Sequence, residues 1–208
     1  MLYTARTPKW VIKLFNRSVW DMPDDEKVIY LSFDDGPHPQ ITPFVLDELN
    51  KYNAKATFFC IGKNVEAFPE VFQKILHEGH AVGNHTFDHL NGWKTGREAY
   101  IGNILKAREY IKSSLFRPPY GKITPWQHKV LLQMNEPFKI IMWSVLSGDF
   151  DTTITPKQCC KNVIENAKSG SVIVFHDSEK AYERMKYSLP IVLKTFSEKG
   201  FLFEKIHF

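Results

Sequence analysis

Three cysteines in 208 residues are too few for a disulfide framework. Cys159 and Cys160 are adjacent, which disfavours a bridge between them, and neither they nor Cys60 sits at a zinc-finger spacing. All three read as small buried hydrophobes. No apolar run approaches the ~18–20 residues of a membrane-spanning helix. No basic run is long enough to argue for nucleic acid, although the net charge is +4 and the pI about 8.8. Low-complexity segments, internal repeats and composition breaks are also missing, which excludes solenoids and linker-joined domains. The N-terminus lacks a secretory pattern: Lys9, Lys13 and Arg17 interrupt its apolar residues, and no small-residue cleavage site follows. On sequence alone this predicts a cytoplasmic protein.

What is present suits one α/β domain with a sizeable core. Residues 1–27 read as an N-terminal extension or cap, and residues 28–208 as the main domain. Within the extension, residues 9–20 can form a short amphipathic helix, with Lys9, Lys13 and Arg17 opposite Val11, Leu14, Phe15 and Val19. Such a helix either packs on the domain or lies at a membrane surface. From Val28 onward, strand and helix signals alternate. Strands are expected at 28–31, 56–61, 81–85, 139–145, 171–176 and 201–203. Helices are expected from Thr42-Pro43 to Tyr52, from Pro69 to Gly79, over 97–114, from Thr124-Pro125, from Thr155-Pro156, and over 181–198. About seven βα units predict a parallel sheet rolled into a barrel or near-barrel.

Barrels place their chemistry at the C-terminal ends of strands, and there the titratable residues gather. Asp34 and Asp35 follow the first apolar run, and Gly36-Pro37 turns the chain. Neighbouring strand side chains point to opposite faces, so both carboxylates serve one cavity only at a frayed strand end. His85 and His89, four residues apart, can converge on one metal from a helical turn or a tight loop. That spacing is weak alone in a chain with eight histidines. With Asp35 it makes three ligands and leaves positions open, the catalytic rather than the structural pattern. Arg117, Asp149 and His176 fall at or after further strands. His38, His77, His80, His128 and His207 read as surface or core residues, and Trp143 as core. Trp93 and Trp126, in loops on the catalytic side, are candidate stacking surfaces for sugar rings.

Five stretches, in order, carry a resemblance: Ser32-Phe33-Asp34-Asp35-Gly36, His85-Thr86-Phe87-Asp88-His89, Arg117-Pro118-Pro119-Tyr120, Trp143-Ser144-Val145 with Asp149, and Val174-Phe175-His176-Asp177. Together they resemble the five motifs of the polysaccharide deacetylases, the NodB-type domain of carbohydrate esterase family four, over about residues 28–206. The resemblance implies a distorted (β/α)7 barrel, TIM-barrel-like, that removes acetyl groups from sugars with a metal, usually zinc, with cobalt as another candidate. It implies Asp35, His85 and His89 as metal ligands and Asp34 as general base paired with Arg117. It further implies the Tyr120 backbone N–H as oxyanion donor and His176 as general acid oriented by Asp149. Pro118, Phe150 and Val174 are the substrate-pocket residues so implied.

Three departures from the family pattern stand out. Leu146 occupies a position where the family often has Asp, which leaves Asp149 as the only carboxylate of its loop able to tune His176. Phe150 stands where Trp is common, and Val174 where Leu is usual, so the acetyl pocket is expected to persist at altered size. The leading expectation is a deacetylase of N-acetylglucosamine-containing glycans, such as peptidoglycan or chitin oligomers. The alternatives are a small-molecule amidase on the same scaffold and a metal-bearing sugar-binding protein without catalysis. The family setting implies an extracytoplasmic location, against the cytoplasmic one read from the N-terminus.

Overall fold

The computed structural model describes residues 4–23 and 25–208; residues 1–3 and 24 of the expected extension lie outside the described residues. A short helix, α1 (Lys9–Leu14), precedes β1 (Val28–Asp34) and α2 (Ile41–Asn50). There follow β2 (Ala56–Cys60), α3 (Gly62–Ala67), α4 (Pro69–His77), β3 (Ala81–Asn84) and α5 (Arg97–Tyr110). Next come β4 (Leu115–Phe116), a 3-10 turn over Pro119–Gly121, α6 (Pro125–Leu132), β5 (Lys139–Ile140) and β6 (Val145–Leu146). The chain ends with α7 (Pro156–Ile164), β7 (Val172–His176), α8 (Glu179–Glu198) and β8 (Leu202–Phe203).

Seven strands run parallel in the order β5-β4-β3-β2-β1-β7-β6, and β8 pairs with the start of β1. This is the distorted (β/α)7 barrel expected from the strand–helix alternation. β1 is its axis and is buried at every position. Because side chains alternate along a strand, Ile29, Leu31 and Phe33 join one cluster with Val45, Leu46 and Leu49 of α2 and Leu189, Val192 and Leu193 of α8. Each fully buried side chain of this kind contributes roughly 1.5–3 kcal/mol. Ser32 and Asp34 face the other way, into the barrel, where Arg117 bonds to both.

The run 139–145, expected as one strand, is two. β5 and β6 lie at opposite ends of the sheet, so residues 141–144 cross the gap between the first and last edges. The Arg117 guanidinium takes the freed carbonyls, donating from Nε to Ile141 O (3.1 Å) and from Nη2 to Met142 O (3.0 Å). The N-terminal segment pairs with the outer edges. Val19 N donates to Ile140 O and Met142 N to Val19 O, while Thr7 N donates to Ser144 O and Leu146 N to Ala5 O.

That pairing also shortens the expected 9–20 helix to Lys9–Leu14, since Val19 is drawn into the sheet edge. Val11 and Ile12 pack on a core cluster with Trp20, but Trp10, Leu14 and Phe15 are exposed, against the expectation that Leu14 and Phe15 share the buried face. α2 starts at Ile41, one residue before the expected Thr42 cap. Thr42 instead accepts from His38 N and donates to Asp177. α5 stops at Tyr110, four residues short of the expected 114, because Ser113 bonds to Val82 O and turns the chain into β4. Thr124 and Thr155 cap α6 and α7 as expected, Thr124 in a full capping box. Cys60, Cys159 and Cys160 are free and buried.

Candidate active site

Strand alternation and one backbone turn bring the two carboxylates together. Asp34 is the last residue of β1 and pairs in register with His176 of β7. Asp35 then adopts φ 82°, in the left-handed region, before the cis Gly36-Pro37 bond. The turn is held by Asp177. Its carboxylate accepts from Gly36 N (3.0 Å) and from Thr42 Oγ1 (2.5 Å). A Cβ on residue 36 would lie 2.1 Å from Asp177 Oδ2, so only glycine fits. Asn64 Nδ2 donates to Asp35 O (2.7 Å).

His85 and His89 converge from a tight loop. Thr86 and His89 both take positive φ, 65° and 57°. The loop is braced by Thr86 N to Asn84 Oδ1, Leu90 N to Thr86 Oγ1, and Phe87 N and Asp88 N to Asn103 Oδ1 of α5. One ligand atom each from Asp35, His85 and His89 lies within 4.8 Å of the other two, with Asp35 Oδ1 3.8 Å from His85 Nε2 and 3.2 Å from His89 Nε2.

These residues fit a divalent cation on three counts. Asp35 Oδ1 is buried and has no hydrogen-bond partner among the described residues, a cost that a coordinated cation would remove. His85 Nδ1 lies 2.8 Å from Arg117 O. A carbonyl only accepts, so Nδ1 carries the proton and Nε2 presents its lone pair to the cluster. Burial pushes the His85 imidazolium down to about 4, outweighing the carboxylates of Asp34 and Asp35, so the ring is neutral as a ligand must be. Burial alone would raise the Asp35 carboxyl; the close approach of His89 and the charges of His176 and His85 outweigh it and hold it well below the usual range.

Arg117 is fully buried and donates from Nη1 to Asp34 Oδ1 (2.6 Å) and Ser32 Oγ (2.8 Å), stacked 4.0 Å from the Phe59 ring centroid. Asp34 Oδ1 is thereby taken, and Oδ2 is its remaining acceptor. On the other side Asp149, also fully buried, accepts from His176 N (2.7 Å) and from His176 Nδ1 (2.8 Å). Nε2 of His176 is left for chemistry. Arg184 of α8 donates to Asp149 O (2.6 Å) and holds that loop. Burial would depress the His176 imidazolium, but the charge and hydrogen bond of Asp149 outweigh it, with help from Asp35 and Asp34, and raise it to about 10.

Phe150 meets the His176 ring edge-on, with centroids 5.3 Å apart. Val174, buried, shares the inward face of β7 with His176, since their partners on β1 are Ser32 and Asp34. Pro118 is buried directly after Arg117. Tyr120, at φ 60°, lays its ring 4.6 Å from that of His89. The N–H groups of Gly121 and Lys122 donate back to Pro118 O and Pro119 O, whereas that of Tyr120 meets no acceptor among the described residues.

The candidate ligands, base, acid and pocket residues named from the sequence thus lie at this end of the sheet. Sequence reasoning missed the supports. Asn103 and Arg184 carry no local signal, because their partners are 15 and 35 residues away, and Ser32, although in the first stretch, gives no hint of its partner 85 residues on. Asp177, directly after His176 in the fifth stretch, was visible but unused.

The polysaccharide deacetylase family matches residues 21–136. A peptidoglycan-N-acetylglucosamine deacetylase of Bacillus cereus is 34% identical over 190 residues, 88% of each chain. A chitooligosaccharide deacetylase of Azorhizobium caulinodans is 35% identical over 161 residues, covering 74% of this chain and 75% of that one. A peptidoglycan N-acetylglucosamine deacetylase crystallised with 4-naphthalen-1-yl-N-oxidanyl-benzamide superposes with TM-score 0.86 and 31% identity, over 96% of this chain and 95% of that one. With a family match across more than half its length and relatives of this identity and coverage, the chain belongs to the polysaccharide deacetylase family.

Proposed function

We propose that this protein is a metal-dependent deacetylase of N-acetylglucosamine-containing glycans. One observation carries the reading: Asp34 and His176, each with its own buried ionic partner, are register neighbours on β1 and β7 beside the Asp35–His85–His89 cluster. A base, an acid and a ligand set for a Lewis acid then serve one cavity, more than a sugar-binding protein has use for. The substrates named for the Bacillus cereus and Azorhizobium caulinodans relatives support N-acetylglucosamine as the sugar.

A divalent cation, zinc in the first instance, held by Asp35, His85 and His89 would polarise the acetyl carbonyl and acidify a water. Asp34 takes the water's proton at Oδ2, while Arg117 anchors Oδ1. The Tyr120 N–H donates to the oxygen that gains charge as the carbonyl carbon becomes tetrahedral. His176 then delivers its Nε2 proton to the departing amine, which is a poor leaving group without it. Pro118, Phe150 and Val174 enclose the acetyl methyl.

The direct test is acetate release from N-acetylglucosamine oligomers and from peptidoglycan, set beside simple acetamides. Release from the glycans is expected. Turnover of the small amides alone would establish the amidase alternative instead.

A pH profile tests the acid. His176 donates only while protonated, so kcat falls as pH rises through its pKa. Asp149 is the main group raising that value. Asp149→Asn is expected to move the alkaline limb to lower pH and reduce kcat at pH 8 by about 10²–10⁴-fold. Positive charge near Asp35 shifts the limb alike in both proteins, so the difference between them is the readout. An acetyl ester, whose leaving group needs less proton donation, should lose less. An unchanged limb on the amide substrate would mean that another group tunes His176.

A further inference from the structure

Two loops of the catalytic face are locked together beside the site and carry aromatic rings the reaction does not use. Gln127 Nε2 donates to Gly92 O (2.9 Å), and a Cβ on residue 92 would meet Lys122 O at 2.4 Å. Trp93 is 65% exposed, yet its indole N–H is fixed on Ile123 O (3.2 Å), so the ring is held out to solvent in one pose. Lys122 Nζ stands 5.0 Å from its centroid. Trp126 is also exposed and has the Arg97 guanidinium 5.1 Å from its ring. The loops run directly from the reaction centre, since His89 lies four residues before Trp93 and Tyr120 two before Lys122.

Burying these rings elsewhere would have been favourable, so two tryptophans held outward beside a site call for a partner. An indole face carries negative potential and suits the C–H face of a pyranose ring. The charge beside the rings is one-sided. Lys94, Arg97 and Lys122 stand against Glu98, the only carboxylate in residues 89–127 apart from that of Glu109, which lies at the far end of α5. None of the three cations has a carboxylate partner among the described residues.

We propose that Trp93 and Trp126, with Lys122 and Arg97, form a ledge for sugar residues beyond the reacting one, selecting a glycan strand that bears carboxylates over a neutral one. The ledge rests on the glycan-deacetylase reading above and narrows it to acidic strands.

Binding, not turnover, is the test, measured by calorimetry on metal-loaded protein carrying Asp34→Asn so that ligand is not consumed. Three ligands are compared: an N-acetylglucosamine dimer, the neutral pentamer, and a strand of pentamer length whose alternate sugars carry a lactyl carboxylate. The acidic strand is expected to bind about tenfold more tightly than the neutral pentamer, with the margin shrinking in 0.5 M salt. Trp93→Ala is expected to weaken both long ligands about tenfold and the dimer less than about twofold. Trp93→Phe, which keeps a ring, should retain most of the affinity. Arg97→Met with Lys122→Met should erase the preference for the acidic strand and leave the neutral pentamer unchanged. Affinity independent of length, or equal weakening of dimer and pentamer by Trp93→Ala, would overturn the ledge. A neutral pentamer bound as tightly as the acidic strand would overturn its selectivity. Failure of the underlying reading shows separately, as no acetate release from any glycan by the unmodified protein.

Discussion

Replacing His85 with alanine is expected to cost the protein its divalent ion and its activity together. Loss of a partner that merely supports a ligand lowers metal affinity about 10–100-fold, and His85 would be one of three ligands offered by the cluster among the described residues. Elemental analysis after gel filtration should find about one equivalent in the unmodified protein and far less in His85→Ala. The buried ring also contributes packing, so chelation of the unmodified protein is the companion experiment. Exhaustive chelation should abolish acetate release, and added zinc or cobalt should restore it. Full activity after chelation would rule out the mechanism.

Asp34→Asn is expected to lower kcat about 10²–10⁴-fold, the range for a lost general base, while retaining the ion. The amide keeps an oxygen that can accept from Arg117, so the buried guanidinium stays bonded and the fold persists. Approaching the pair from the other side is a poorer experiment. Arg117→Met strands the Asp34 carboxylate in the interior, and breaking such a pair costs about 3–5 kcal/mol. It would also release the carbonyls of Ile141 and Met142 in the segment that crosses the gap between the two sheet edges. Loss of metal in Asp34→Asn would mean that the roles of Asp34 and Asp35 have been exchanged.

The proposed reacting groups were legible because five ordered stretches carry them together. Asp34-Asp35 before Gly36-Pro37 marks a strand end, and His85 and His89 share a spacing that a metal needs. The groups that hold them were not legible. Asn103 looks like any polar residue on a helix until the 85–89 loop folds against it, and Arg184 resembles a surface cation until its Nε meets Asp149 O. The strand at 139–145 misled for a related reason. Its apolar run records burial, which holds at Ile140, Ile141, Met142 and Val145, but not which neighbour each residue pairs with, and that changes between Ile140 and Val145. β4, two residues long, is too short for any period to register. α3 was missed because its start at Gly62 looks like a stop signal.

The pairing of the N-terminal segment with both rims of the sheet bears on how the molecule coexists with its own copies. A strand rim with free N–H and C=O groups is a template on which another chain can add. Here Ala5 and Thr7 occupy the rim at β6, and Val19 the rim at β5. Cutting the chain before Val28 would leave a barrel with two adhesive flanks at the one place where its wall does not close. The stretch that reads as an appendage thus covers both rims of the open wall.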